Sequence, residues 1–446
     1  MNRAEKITGT IVAVVLANLP VCGALLGFGP LMGAGLAFAL WLCFIAINVL
    51  PLWQKDCFTR LGMMLGGEIL TEINTVACTV NFCLYLYWVL NMGRLGISLP
   101  QLLIGIVYAV LIGLILCVNG VTRMLVTSVQ LGIRGRALLL LCWWIPLLNL
   151  FLLWRTCHAV RQEYLFETEK KELDTVRREN TLCATRYPLV LVHGVFFRDQ
   201  RFFNYWGRVP AELIRNGARV WYGNQQSAAS VASCAQELKA RVEEIVRETG
   251  CEKVNLIAHS KGGLDSRWAI SRLGLAPLVA SLTTINTPHR GCAFVDWLLG
   301  KCPPSICAFI AKSYNAALHR FGDPNPDFMA AVQDLTSSRC KELNEEMPDV
   351  PGVRYRSVGS RMRSSFSAPM PLFLTWRFVH RFDGANDGLV GVESMRWGES
   401  FEMLEPPGRR GLSHGDLIDL NRQNIPGFDV REFYVSLVSR LREEGL

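Results

Sequence analysis

The stretch Val254-Asn255-Leu256-Ile257-Ala258-His259-Ser260-Lys261-Gly262-Gly263 sets an apolar run against a serine and two glycines, with the helical run LDSRWAI directly behind it. A chain that reverses from strand to helix around one residue strains that residue, so the positions two before and two after it must be small. Ala258 and Gly262 meet that need. The string reads as a nucleophile elbow with Ser260 at its tip, although by itself it also fits a serine capping a helix. Outward from it, β-branched runs (PLVLVHG, ARVWYG) alternate with helical stretches such as AQELKARVEEIVRETG. This alternation predicts a mostly parallel sheet covered on both faces, with ligands at the carboxyl ends of its strands.

Upstream, Leu189 to Gly194 read as a strand ending in His193-Gly194-Val195-Phe196. The glycine lets the backbone bend and point an amide at a reacting carbonyl oxygen, so the amides of Val195 and Lys261 form the expected oxyanion hole. His193 is expected to pack that loop rather than to act as a base. A serine nucleophile needs a base and an orienting acid, which follow an elbow of this kind in the order Asp or Glu, then His. Four histidines lie downstream of Ser260: His289, His319, His380 and His414. Only His414, in GLSHGD, follows the candidate acid. Asp387, in a turn just before a short apolar run (GANDGLVG), is preferred to Asp383 four residues earlier.

Residues 1–154 have another character. From Ile7 to Trp53 there are 47 residues without Asp, Glu, Lys or Arg, beyond what a soluble core helix sustains. Uncharged stretches predict about five spans, near 7–28, 31–53, 73–93, 95–122 and 137–154, the last with a central Pro146 that also fits a re-entrant segment. The first is too long, and leads too directly into the second, to be a cleavable signal. With the N-terminus in the cytoplasm, Arg3, Lys6, Lys55, Arg60, Arg123, Arg134 and Arg136 fall inside, and only Arg94 falls in a short outside loop. Five spans then put the C-terminal part outside the cytoplasm, against the bias of Arg155, Arg161, Lys170 and Lys171 after the fifth. Glu68 and Glu72 are placed at the edge of the third span, and no span has a charged pair at its middle, which disfavours a transporter. Residues 155–182 read as a charged linker helix and 183–446 as the catalytic domain. The net charge of +8 is spread along the chain and excludes nucleic acid as a partner. The 15 cysteines show no CxxC spacing and no zinc pattern; Cys302 and Cys307 could pair.

YPLVLVHGVF, KVNLIAHSKGG, NTPHRG, NDGLVG and His414 together resemble the bacterial triacylglycerol lipases of the α/β-hydrolase superfamily, and Ala258 at the usual glycine looks like the Bacillus members. The resemblance implies an α/β-hydrolase fold, here behind the all-α transmembrane region that composition predicts and that the secreted lipases lack, and a triad of Ser260, Asp387 and His414. It also implies a calcium ion near the catalytic histidine. Asp416 stands at one matching position, but SSFSAPMPLFLTW before Asp387 offers no partner aspartate, so no metal or cofactor is expected. Residues 292–323, apolar and broken by Pro303 and Pro304, sit where lipases insert a lid, and also fit two core helices.

The expectation is a multi-pass, membrane-anchored lipase or esterase acting on fatty acyl esters through an acyl-enzyme. The lipid or ester substrate and the membrane are its partners, and its oligomeric state stays open. A phospholipase, thioesterase or acyltransferase would use the same triad. A scaffold that has lost activity is the reading from another class.

Overall fold

The computed structural model describes residues 3–53, 57–177, 179–195, 204–320 and 322–446; Lys55 and Phe196 lie outside the described residues. The chain divides into two compact units, Met1–Asp174 and Thr175–Leu446.

Among the described residues of the first unit, four helices are long and apolar enough to cross a membrane: α1 (Arg3–Leu25), α2 (Pro30–Val49), α3 (Arg60–Leu90) and α4 (Leu99–Thr127). Of its 20 residues α2 buries only Phe44, so its apolar side chains suit lipid rather than a protein core. A Cβ on Gly67 would stand 2.7 Å from the Gly120 carbonyl oxygen, and one on Gly120 would stand 2.9 Å from that of Gly67. The backbones of α3 and α4 meet there, at the close approach that small residues permit between membrane helices.

Two expectations for this unit change. The stretch 137–154 is not one helix: Gly132–Leu141 ends, the chain turns, and α5 (Leu148–Arg177) begins. Pro146 has no N–H to continue a helix, and Leu147 takes a left-handed φ of 64°. Asn149 Nδ2 donates to the Trp143 carbonyl at 2.6 Å and secures the turn. α5 then runs unbroken through the charged stretch to Arg177. Glu68 and Glu72 are not at the edge of a span but well inside α3. Arg161 of α5 pairs with buried Glu68 at 2.8 Å, and Lys6 of α1 pairs with Glu72. Pairing makes their burial tolerable.

The second unit holds a six-stranded sheet in the order β2-β1-β3-β4-β5-β6, every neighbour parallel. The strands are β1 (Leu189–Val192), β2 (Val220–Tyr222), β3 (Val254–His259), β4 (Val279–Ile285), β5 (Arg354–Ser360) and β6 (Ser400–Leu404). β1, β3 and β4 are buried along their whole length, as an apolar strand covered on both faces must be. Leu189, Leu191 and Ile257 pack on one face with Trp206 and Tyr434, the latter from α11 (Val430–Glu443). Val190, Val192, Leu256 and Ala258 pack on the other with Leu238 and Ala269. Leu238 belongs to α6 (Val231–Thr249), which buries Val231, Cys234, Ala235, Leu238, Val242 and Ile245 at helical spacing; Ser230 caps its start by accepting from Ser233 N. The parallel sheet flanked by helices is the predicted α/β-hydrolase architecture, and it gathers the carboxyl ends of β1, β3 and β4 at one edge.

Candidate active site

Between β3 and α7 (Lys261–Arg272), Ser260 has φ 55° and ψ −134°, a conformation that a non-glycine residue holds only when its surroundings impose it. Ser260 N donates to the Ile285 carbonyl and Gly263 N to that of Ser260. A Cβ on Gly262 would run into the backbone carbonyls of His193 and Val192, the crowding that the small-residue rule anticipates. Lys261 opens α7, so its N–H is one of the donors that a helix start leaves without an internal partner. Its side chain turns into the protein and meets Asp265 at 2.6 Å, both buried.

Asp387 is completely buried beside His414, with Oδ2 2.6 Å from His414 Nδ1. Its Oδ1 accepts from Leu389 N at 2.9 Å and Val390 N at 2.8 Å, and its carbonyl accepts from His414 N at 2.9 Å. With two backbone donors on Oδ1, the carboxylate meets the ring as an acceptor through Oδ2, which places the ring proton on Nδ1 and leaves Nε2 as a lone pair. Asp383 goes elsewhere: it accepts from Ala293 N at 3.0 Å and Phe294 N at 3.2 Å and caps α8 (Ala293–Lys301). Of the other histidines, His289 is buried against Trp397 and Thr284, His319 is exposed, and His380 stacks on Trp376. Burial, and then the charge of Arg267, hold His289 well below the ordinary histidine range.

Two residues that the sequence reading passed over join the parts of the site. The ring of His259, directly before Ser260, lies 4.5 Å from that of His414. Burial first, and then His414, hold its imidazole well below the usual range, so it is neutral. Its Nδ1 lies 2.7 Å from the Tyr205 hydroxyl, which accepts from Gly194 N at 3.0 Å. The His414 carbonyl, 3.2 Å from Nε2, can only accept, so Nε2 of the neutral ring carries the proton and Nδ1 accepts from the Tyr205 hydroxyl. One buried chain of hydrogen bonds thus links the glycine loop, the elbow and the histidine loop. His193 supports the loop as expected, through the Gln225 carbonyl at 2.8 Å and Gln225 Nε2 on its own carbonyl at 2.9 Å. Val195 is buried at the end of that loop.

Asp416 does not fit a calcium ligand. Arg410 donates to its carboxylate at 2.7 and 3.0 Å, and Ser413 N donates at 2.7 Å. A guanidinium holds both oxygens where a cation would need them. The stretch 292–323 forms α8 and α9 (Pro304–Arg320), bent by 115°. α9 buries only Ala311 and Leu318 of its 17 residues, so these are surface helices rather than core ones.

The triacylglycerol lipase of Vibrio cholerae is 32% identical to this chain over 288 residues, 59% of this chain and 89% of that protein. The chain belongs to the triacylglycerol lipase family. The corresponding lipase of Pseudarthrobacter phenanthrenivorans is 35% identical over 183 residues, and the chain spans 56% of that relative's length. It spans 50% of the Burkholderia plantarii lipase, also at 35% identity. No protein-family model matches the chain. Among solved structures, the Staphylococcus hyicus lipase superposes with a TM-score of 0.47 at 18% identity, covering 58% of this chain and 97% of that one.

Proposed function

We propose that the chain is a membrane-attached lipase or esterase that cleaves fatty acyl esters through Ser260, His414 and Asp387. The observation that carries this reading is the 2.6 Å contact of Asp387 with His414, whose ring stands against the residue preceding the strained Ser260. His414 Nε2 takes the proton as Ser260 Oγ attacks the acyl carbonyl, and returns it to the leaving alcohol. Asp387 fixes the tautomer and balances the imidazolium. The amides of Val195 and Lys261 stabilise the tetrahedral oxyanion. Water, activated by the same histidine, then releases the fatty acid and restores Ser260. These steps need no metal or cofactor.

Four apolar helices in the first unit supply the membrane attachment in this reading, and their outward apolar side chains support it. Reaction of the detergent-solubilised protein with a fluorescent fluorophosphonate tests the assignment. Labelling should disappear in Ser260→Ala, and hydrolysis of nitrophenyl esters should disappear with it. Equal labelling of both proteins would show that another residue is the nucleophile.

A further inference from the structure

The sequence from Trp297 to Gly322 contains Lys301, Lys312 and Arg320, and that from Arg361 to Phe382 contains Arg361, Arg363, Arg377 and Arg381, with no Asp or Glu in either. These stretches form most of α8, all of α9, and α10 (Leu372–Asp383) up to its last residue. The acids at their limits, Asp296, Asp323 and Asp383, are taken up by hydrogen bonds within the chain. Asp296 accepts from Ser337 N at 2.6 Å and Ser338 Oγ at 2.7 Å. Asp323 accepts from Ser227 N at 3.1 Å, and Asp383 caps α8. Arg361 pairs with Glu405 at 2.8 Å. Lys301, Lys312, Arg320, Arg377 and Arg381 are exposed and have no carboxylate partner among the described residues.

Apolar side chains stand among these cations. Phe309 is 71% exposed, Ile306 49% and Phe378 48%. α8 and α10 pack through Phe294 on Phe378 and Trp297 on Phe382, with ring centres 6.0 and 5.3 Å apart. A surface that faces only water mixes both signs of charge and hides large aromatic rings. Here the opposite charge must come from outside, together with a medium that accepts aromatic and aliphatic side chains. Phospholipid headgroups above acyl chains supply both.

We propose that α8, α9 and α10 form a docking face for a lipid surface rich in anionic phospholipid headgroups. The proposal deepens the acyl-ester reading, on which it rests, by naming the surface at which the ester is met. Cations near such a surface each strengthen attachment about fivefold, and salt weakens that attraction.

The test uses full-length protein in nonionic detergent micelles doped with phosphatidylglycerol or with phosphatidylcholine. The emission of Trp297 is isolated as the difference between wild type and Trp297→Phe. It should move to shorter wavelength with phosphatidylglycerol at low salt, move much less with phosphatidylcholine, and revert in 0.5 M sodium chloride, on the order of a hundredfold above low-salt buffer. A variant carrying Lys312→Glu, Arg320→Glu, Arg377→Glu and Arg381→Glu should lose the phosphatidylglycerol response while keeping the wild-type melting midpoint and turnover of water-soluble nitrophenyl acetate. Equal responses to the two lipids, no response to either, or a response that survives charge reversal would overturn the proposal; the last two outcomes leave an acidic protein or an uncharged interface as occupant. Loss of acetate turnover in wild type would instead refute the acyl-ester reading, because the emission signal needs no catalysis.

Discussion

Ser260, Asp387 and His414 differ from Tyr205 and His259 in how each can be tested by a single atom. Asp387→Asn keeps the shape of the acid but favours the wrong histidine tautomer, and should lower kcat by about 10⁴-fold. Tyr205→Phe removes one oxygen and leaves Gly194 N and His259 Nδ1 buried without it. A buried group left unpaired costs about 1–3 kcal/mol, so kcat should fall by roughly 5- to 100-fold with KM little changed. An unaltered kcat would show that the hydrogen-bond chain does not position the site. His259 and His289 give a pH signature. Both have folded pKa values pushed below the ordinary value near 6.5, so the unfolded chain takes up the extra protons on acidification. Stability is therefore full above about pH 6.5 and declines below it, by about 1.4 kcal/mol per pH unit for each histidine. The melting midpoint of the second unit should fall between pH 6.5 and 5, and less steeply in His289→Gln; a flat profile would mean that these rings are protonated in the fold. The pairing of Asp387 with His414 was legible in the sequence because chain order and turn residues constrain it. Tyr205 and His259 were not, because their partners lie 11 to 155 positions away in the chain and an aromatic residue or a histidine beside an elbow looks like packing.

At the scale of elements, two aspartates four residues apart have separate duties. Asp383→Ala should cost about 1 kcal/mol through the lost cap of α8 and retain ester hydrolysis, whereas Asp387→Asn should lose most of it. Rates measured beside melting midpoints separate the two, and loss of turnover in Asp383→Ala at an unchanged midpoint would contradict the assignment. The sheet was readable from its uninterrupted apolar strands, since a strand buried on both faces leaves that trace. The break between Gly132–Leu141 and α5 was not, because composition alone makes 137–154 look continuous. Only the backbone shows Pro146 and Leu147 turning the chain. Burial likewise separates surface helices from core ones at 292–323, where apolar composition fits both.

For the whole molecule, the number of crossings decides the side on which the chain continues. The placement of the C-terminal part outside the cytoplasm relied on five spans, whereas four helices qualify in the first unit. If these four are the crossings, the chain returns to the side of Arg3 and Lys6, and Arg155, Arg161, Lys170 and Lys171 lie there too, in accord with the bias of cationic loops toward the cytoplasm. A C-terminal tag should therefore resist an impermeant reagent on intact cells and react after permeabilisation. Reaction on intact cells would restore the fifth crossing.

The Arg410 clamp on Asp416 bears on the conditions under which such a chain can work. A loop held by a divalent ion is loaded or empty according to the concentration of that ion around it. The guanidinium of Arg410 is part of the chain and is neither loaded nor lost. Chelators should leave activity unchanged, while Arg410→Ala should lower it, and inhibition of the wild type by chelator would overturn this reading. On this reading the histidine loop has its counter-charge built in from the moment of folding, so its readiness would not follow the mineral content of the compartment it occupies.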